Sequence, residues 1–164
     1  GLKRWAYIYL TVTGAFVIKH LLAFAVVASC TVSSALAACE KGSKTVFSCL
    51  AAKGKIIQVC DSGKTIDYSF GKPNAPEIVV RAPRSEASTF QWQGIGRYLS
   101  YSVEVPNGST TYNVFWGADR LTDEHKIDAG VNVEINKKLV ATVKCVGEKY
   151  IVQNIEGIDL KPIE

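Results

Sequence analysis

Methionine is absent from this chain, histidine is scarce and no C-x-x-C pair occurs. Each absence excludes something. Without methionine there is no conventional start, so residues 1–18 read as an upstream extension, with Ile18 standing where an initiator is expected. The two histidines are His20 and His125, and only His125 lies beyond the apolar front of the chain. Zinc needs three or four nitrogen, sulfur or oxygen ligands, so one histidine and widely spaced cysteines argue against a metal site, and no cofactor is expected. The missing C-x-x-C removes the usual signature of thiol redox chemistry. Acidic residues are missing from the first 37 positions, which hold Lys3, Arg4 and Lys19. Taking those three from 19 Lys and Arg leaves 16, against 15 Asp and Glu, a net of +1 over residues 38–164. A nearly neutral domain offers no electrostatic reason to bind nucleic acid.

What the front does contain is a leader. Lys19 and His20 precede the apolar run Leu21 to Ala28, and Ser33-Ser34-Ala35-Leu36-Ala37 supplies small residues at the −3 and −1 positions of a peptidase site. This is a signal peptide over residues 19–37, with cleavage after Ala37. An uncleaved anchor is the rival. The apolar stretch Trp5 to Ile18 has 14 residues, short of the ~20 that span a bilayer, and joining it to the next segment would bury Lys19. A lipoprotein is the other alternative, because Leu36-Ala37-Ala38-Cys39 and Val27-Ala28-Ser29-Cys30 both fit a lipobox. Membrane contact is therefore expected only through the leader or a lipid on Cys30 or Cys39.

Residues 38–164 read as a single all-β domain. Period-2 alternation recurs between turn residues: Ile66, Tyr68 and Phe70 share a face, as do Leu99, Tyr101, Val103 and Val105, and then Tyr112, Val114 and Trp116. Pro106-Asn107-Gly108-Ser109 is the clearest hairpin signal, since Asn-Gly accepts the positive φ of a type I′ turn. Residues 82–89 read as a polar connection and 117–128 as a charged loop. A further hairpin joins residues 131–135 to 139–145, and Tyr150 to Ile155 adds an edge strand. Eight or nine short strands, without a helical pattern or a repeat, predict an antiparallel β-sandwich or barrel.

Four cysteines follow the cleavage site: Cys39, Cys49, Cys60 and Cys145. An even set in an exported chain predicts two disulfides, each stabilising by about 2–4 kcal/mol. Three pairings are open. We favour Cys39–Cys49, to tie down the new N-terminus, with Cys60–Cys145.

Two segments carry candidate chemistry. Asp119, Asp123, Glu124 and Asp128 cluster around His125; paired acids or a histidine base could serve a hydrolase there, although a solvated loop explains the same residues. The other segment is Phe90-Gln91-Trp92-Gln93-Gly94-Ile95-Gly96-Arg97-Tyr98. Trp, Tyr and Arg dominate binding hot spots, which makes Trp92, Arg97 and Tyr98 candidates for partner binding. The alternative is a tryptophan packed over the open end of the sandwich. Gly94-Ile95-Gly96 lacks the strand-to-helix setting of a phosphate loop and reads as a bend. Asn107-Gly108-Ser109 matches a glycosylation sequon but is explained by its turn.

Taken together, Gly54-Lys55-x-Ile57-x-x-Cys60, Tyr68-x-Phe70-Gly71, Pro76-Glu77, Trp92-x-Gly94-x-Gly96-Arg97 and Ala129-Gly130-Val131-x-Val133 resemble a group of small exported proteins of Gram-negative bacteria, known as uncharacterised secreted or periplasmic proteins. The resemblance implies a periplasmic or secreted location and transfers no site residue. The expected function is a non-enzymatic binding module of the envelope, an inhibitor or immunity protein acting on a protein partner. The alternatives are an envelope hydrolase using the Asp119–Asp128 loop and His125, or a structural envelope component.

Overall fold

The computed structural model describes residues 39–164; the leader, its cleavage site at Ala37 and Cys30 lie outside the described residues. The chain is all-β. The first sheet has the order β10-β1-β2-β3-β4, from β1 (Lys44–Ala51), β2 (Lys55–Asp61), β3 (Thr65–Lys72), β4 (Ala75–Pro83) and β10 (Val152–Gln153). The second has the order β11-β5-β6-β7-β8-β9. Its strands are β5 (Ser88–Gln91), β6 (Tyr98–Asn107), β7 (Thr110–Asp119), β8 (Ile127–Ile135), β9 (Lys138–Lys144) and β11 (Lys161–Pro162). Pairing is antiparallel except between β11 and β5, which run parallel.

The alternation read from the sequence builds the core. Ile66 and Tyr68 of β3, Val103 and Val105 of β6, and Val114 and Val131 of β7 and β8 are all buried between the sheets. Tyr68 and Tyr112, one from each sheet, stack with ring centroids 4.4 Å apart, a separation typical of favourable aromatic pairs. Burial pushes the Tyr68 phenol well above its usual range, and the neighbouring Tyr112 adds to the shift.

Among the described residues eleven strands replace the eight or nine expected. The added ones are short or polar. β5 hides in the expected polar connection because its inward residues, Thr89 and Gln91, are hydrogen-bonding rather than apolar. Thr89 Oγ1 donates to the Ser102 carbonyl at 2.8 Å, and Gln91 Nε2 donates to the Ile155 carbonyl at 2.9 Å. The expected loop at 117–128 shrinks to 120–126, because Gly117 and Ala118 continue β7 opposite Asp128 and Ile127.

The C-terminal segment ties the two sheets along one side. Asn154 donates its backbone N–H to Val46 of β1, the next side chain, Ile155, is fully buried in the core, and the Gly157 N–H bonds Gln91 Oε1 at 3.0 Å. The backbone N–H of Ile163 then reaches Thr89 of β5.

All four cysteines form disulfides, but the favoured pairing is corrected to Cys39–Cys60 and Cys49–Cys145. Strand parity is the reason. Cys49 stands opposite Ile57 on the inward face and Cys60 opposite Asp67 on the outward face. β9 ends beside β1, where Cys145 bridges Ala51 and the Val146 N–H bonds the Leu50 carbonyl at 2.7 Å. Cys145 therefore meets the inward Cys49, and Cys39 meets the outward Cys60. With its sulfur taken by Cys60, Cys39 is not free for the lipid that the alternative reading placed there. Paired cysteines of this kind belong to an oxidising compartment. No helix among the described residues is long and apolar enough to cross a membrane.

Loop-closure entropy grows with the length enclosed: sequence separations of 21 and 96 correspond to about 3 and about 5 kcal/mol. Cys49→Ala/Cys145→Ala should therefore lower unfolding free energy in urea more than Cys39→Ala/Cys60→Ala does. The reverse order would reject the chain-entropy account. A second expectation concerns base. A raised tyrosine pKa in the folded state means stability that is intact below the unfolded value near 10 and is lost as pH rises above it. Tyr68→Phe should flatten that alkaline loss in a pH series of urea melts.

Candidate functional site

The two candidate segments, more than twenty residues apart in sequence, meet at one end of the second sheet. Loop 92–97 joins β5 to β6 and loop 120–126 joins β7 to β8, so the β6–β7 hairpin carries both loops on its open end. Gly94 and Gly96 both have φ in the left-handed region, +80° and +87°, which lets loop 92–97 turn tightly and present Ile95 between them.

Arg97 and Asp119 lock the loops together. Arg97 Nε donates to both carboxylate oxygens of Asp119, at 3.0 and 2.9 Å, and its Nη2 donates to Oδ2. This planar, forked geometry is the strong form of an arginine–carboxylate pair. The Arg97 hydrogen bond holds the Asp119 carboxyl below its usual range, and the Leu121 backbone N–H adds to the effect. The Arg120 backbone N–H bonds the Arg97 carbonyl at 2.9 Å, and its guanidinium sits 4.7 Å above the Trp92 ring. Trp92 Nε1 donates to the Ile95 carbonyl at 2.9 Å, so the indole fixes its own loop. Below that contact Trp92 packs on the core, as the alternative reading of this residue expected.

Trp92 and Arg97 thus belong to one cluster. Tyr98 leaves it. Its ring lies along the outward face of the second sheet above Gly117, where an added Cβ would come within 2.5 Å of Tyr98 Cε1. Partial burial raises the Tyr98 phenol pKa, and the carboxylates of Asp128 and Asp119 push it the same way.

Three of the side chains wanted for hydrolysis, Asp119, Asp128 and His125, are engaged within the domain. Asp119 is held by Arg97, Asp128 is paired with Lys144 at 2.6 Å, and His125 Nδ1 donates to the Asp119 backbone carbonyl at 3.2 Å. Among the described residues no group of three or more His, Cys, Asp or Glu is placed to hold a metal ion.

Sequence reasoning missed three residues of this tip. Ile95 is 83% exposed and Leu121 73% exposed, and Arg120 supplies the cation above Trp92. The signal for the first two was present: an isoleucine between glycines and a leucine inside a charged loop have no strand in which to be buried. No protein-family model, curated protein or solved structure matches the chain.

Because the folded pKa of Asp119 is depressed, the fork is intact at neutral pH and is lost as pH falls through that lowered value. Asp119→Asn should speed amide exchange in loops 92–97 and 120–126 at neutral pH while leaving β6 and β7 protected. Unchanged loop exchange would show that the fork does not order the loops.

Proposed function

We propose that this domain is a non-enzymatic binding module of the bacterial envelope, periplasmic or secreted, which docks on a protein partner through the tip of the β6–β7 hairpin. One observation carries the reading: two large apolar side chains, Ile95 and Leu121, stand mostly in water on adjoining loops that a forked ion pair and a cation–π contact hold in place. Scattered exposed apolar residues are ordinary. A pair on a preordered tip is different, because an ordered loop loses little entropy on binding. Trp92, Arg97 and Arg120 flank the pair with the residue types enriched at interface centres. An inhibitor or immunity protein needs this kind of surface, a small rigid projection that fills a partner's cleft. The two disulfides fit export, and the leader read at residues 19–37 supplies the route.

Capture experiments test both parts. The protein, immobilised and exposed to envelope extract of its source bacterium, should retain one defined protein, and Ile95→Asp/Leu121→Asp should weaken that capture by at least about tenfold. Equal capture by the double variant would sink the docking site. Release of soluble fragments from isolated cell-wall sacculi, abolished by His125→Ala, would replace this reading with the hydrolase. Mass spectrometry of protein recovered from cells should find a chain beginning at Ala38.

A further inference from the structure

The outward face of the second sheet carries a feature that the tip does not use. Strand pairing places Phe90, Ser102 and Phe115 in one row and Ser100, Gly117 and Asp128 in the next. Asn113 and Asn132 face each other in the row beyond Phe115. Together with the Tyr98 ring these residues line a shallow groove of about 250 Å³. Phe90 is 46% exposed and Tyr98 45% exposed, so two aromatic rings are open to solvent. Gly117, without a side chain, leaves the floor free for the Tyr98 ring to lie down on the sheet.

The charges around this groove are spent within the domain. Lys144 pairs with Asp128 and lies 4.7 Å above the Phe115 ring, and Asp119 is forked by Arg97. Glu104 accepts from Ser88 Oγ at 3.1 Å and from Asn113 Nδ2 at 3.2 Å. What remains to meet a ligand is neutral and hydrogen-bonding. Thr142 Oγ1 donates to Asn132 Oδ1 at 2.7 Å, which leaves the Asn132 amide NH2 to donate. The bond from Asn113 Nδ2 to Glu104 leaves the Asn113 oxygen to accept. The hydroxyls of Ser100 and Ser102 can do either.

We propose that this groove is a binding site for an uncharged carbohydrate chain. A pyranose ring has a face of C–H groups and a rim of hydroxyls. The C–H face packs on an aromatic ring, and each buried hydroxyl needs a partner. Phe90 and Tyr98 supply the platforms, and the serine and asparagine side chains supply the partners. A groove of apolar walls with a few converging polar groups is the usual composition of a small-ligand site. The absence of unpaired charge within the groove selects neutral over acidic sugars. The site is separate from Ile95 and Leu121 and does not depend on the docking proposal.

Isothermal titration of the whole protein with neutral tetrasaccharides (cellotetraose, mannotetraose and chitotetraose) tests this, with tetragalacturonate as the acidic comparison. At least one neutral tetramer should bind saturably, and the acidic one should bind at least about tenfold more weakly. Tyr98→Ala and Phe90→Ala should each reduce affinity by about tenfold. Gly117→Ala, which displaces the exposed end of a flexible side chain, should do the same with the fold retained, as read by circular dichroism. Ile95→Asp/Leu121→Asp should leave carbohydrate affinity unchanged. No saturable binding of any neutral tetramer, preference for the acidic one, or indifference to the Tyr98, Phe90 and Gly117 changes would overturn the proposal.

Discussion

Along β6, residues 99, 101, 103 and 105 turn towards the core while 98, 100, 102 and 104 turn away from it; along β7 the even positions 112, 114, 116 and 118 face in. This two-residue pleat governs what each surface of the domain can be. It sends Tyr101 and Trp116 inwards, where their rings lie 6.1 Å apart, and sends Tyr98 and Phe115 outwards. It also decides the disulfides. With Cys49 inward and Cys60 outward, each can reach only a cysteine delivered to its own side of the first sheet. A slip of one residue between β1 and β2 would exchange core for surface on one strand and carry its cysteine to the wrong side of the sheet.

The same pleat explains which parts of the fold were legible in the sequence. Strands that bury one apolar face, such as β3, β6 and β7, announced themselves by alternation, and Asn107-Gly108 marked the β6–β7 hairpin. Asn107 itself ends β6, and the turn is Gly108-Ser109, with positive φ at Gly108 and not at Asn107. β5 did not announce itself, because its inward Thr89 and Gln91 hydrogen-bond to backbone groups instead of packing as apolar side chains. The tail crosses from one sheet to the other: β10 lies within the edge strand expected at Tyr150 to Ile155, and β11 is a two-residue parallel pairing on β5. The β11 contact follows from the finished shape and leaves no periodic trace. The cysteine pairing failed for a related reason. It depends on which face each cysteine takes in the β1–β2 pairing and on β9 ending beside β1, a contact between the two sheets that local alternation does not reveal.

The candidate site was half legible. Composition alone drew attention to Trp92, Arg97 and Tyr98 and, separately, to Asp119 and His125. That these meet was implicit in the hairpin turn. Asn107 pairs with Thr110, so counting nine residues back along β6 and nine forward along β7 brings Tyr98 opposite Asp119 and sets Arg97 beside it. The charged segment obscured this inference, since Gly117-Ala118-Asp119 reads as loop unless it is paired. Arg120 was hidden more deeply. Its position above Trp92 depends on the course of loop 92–97, which two left-handed glycines set.

The Arg97–Asp119 fork connects the two surfaces of this end of the molecule. On the side of the loops it orders the segments that display Ile95 and Leu121. On the side of the sheet it neutralises a carboxylate near the phenol of Tyr98, at the edge of a groove whose own carboxylate, Asp128, is paired with Lys144. A lone Asp119 would raise the cost of placing a neutral, partly desolvated ligand there, because its hydration shell would have to be disturbed. A lone Arg97 would attract anions to the same edge. Only the pair leaves the groove neutral while holding the loops. A bidentate arginine suits that position better than lysine could, since its two parallel bonds fix orientation as well as charge.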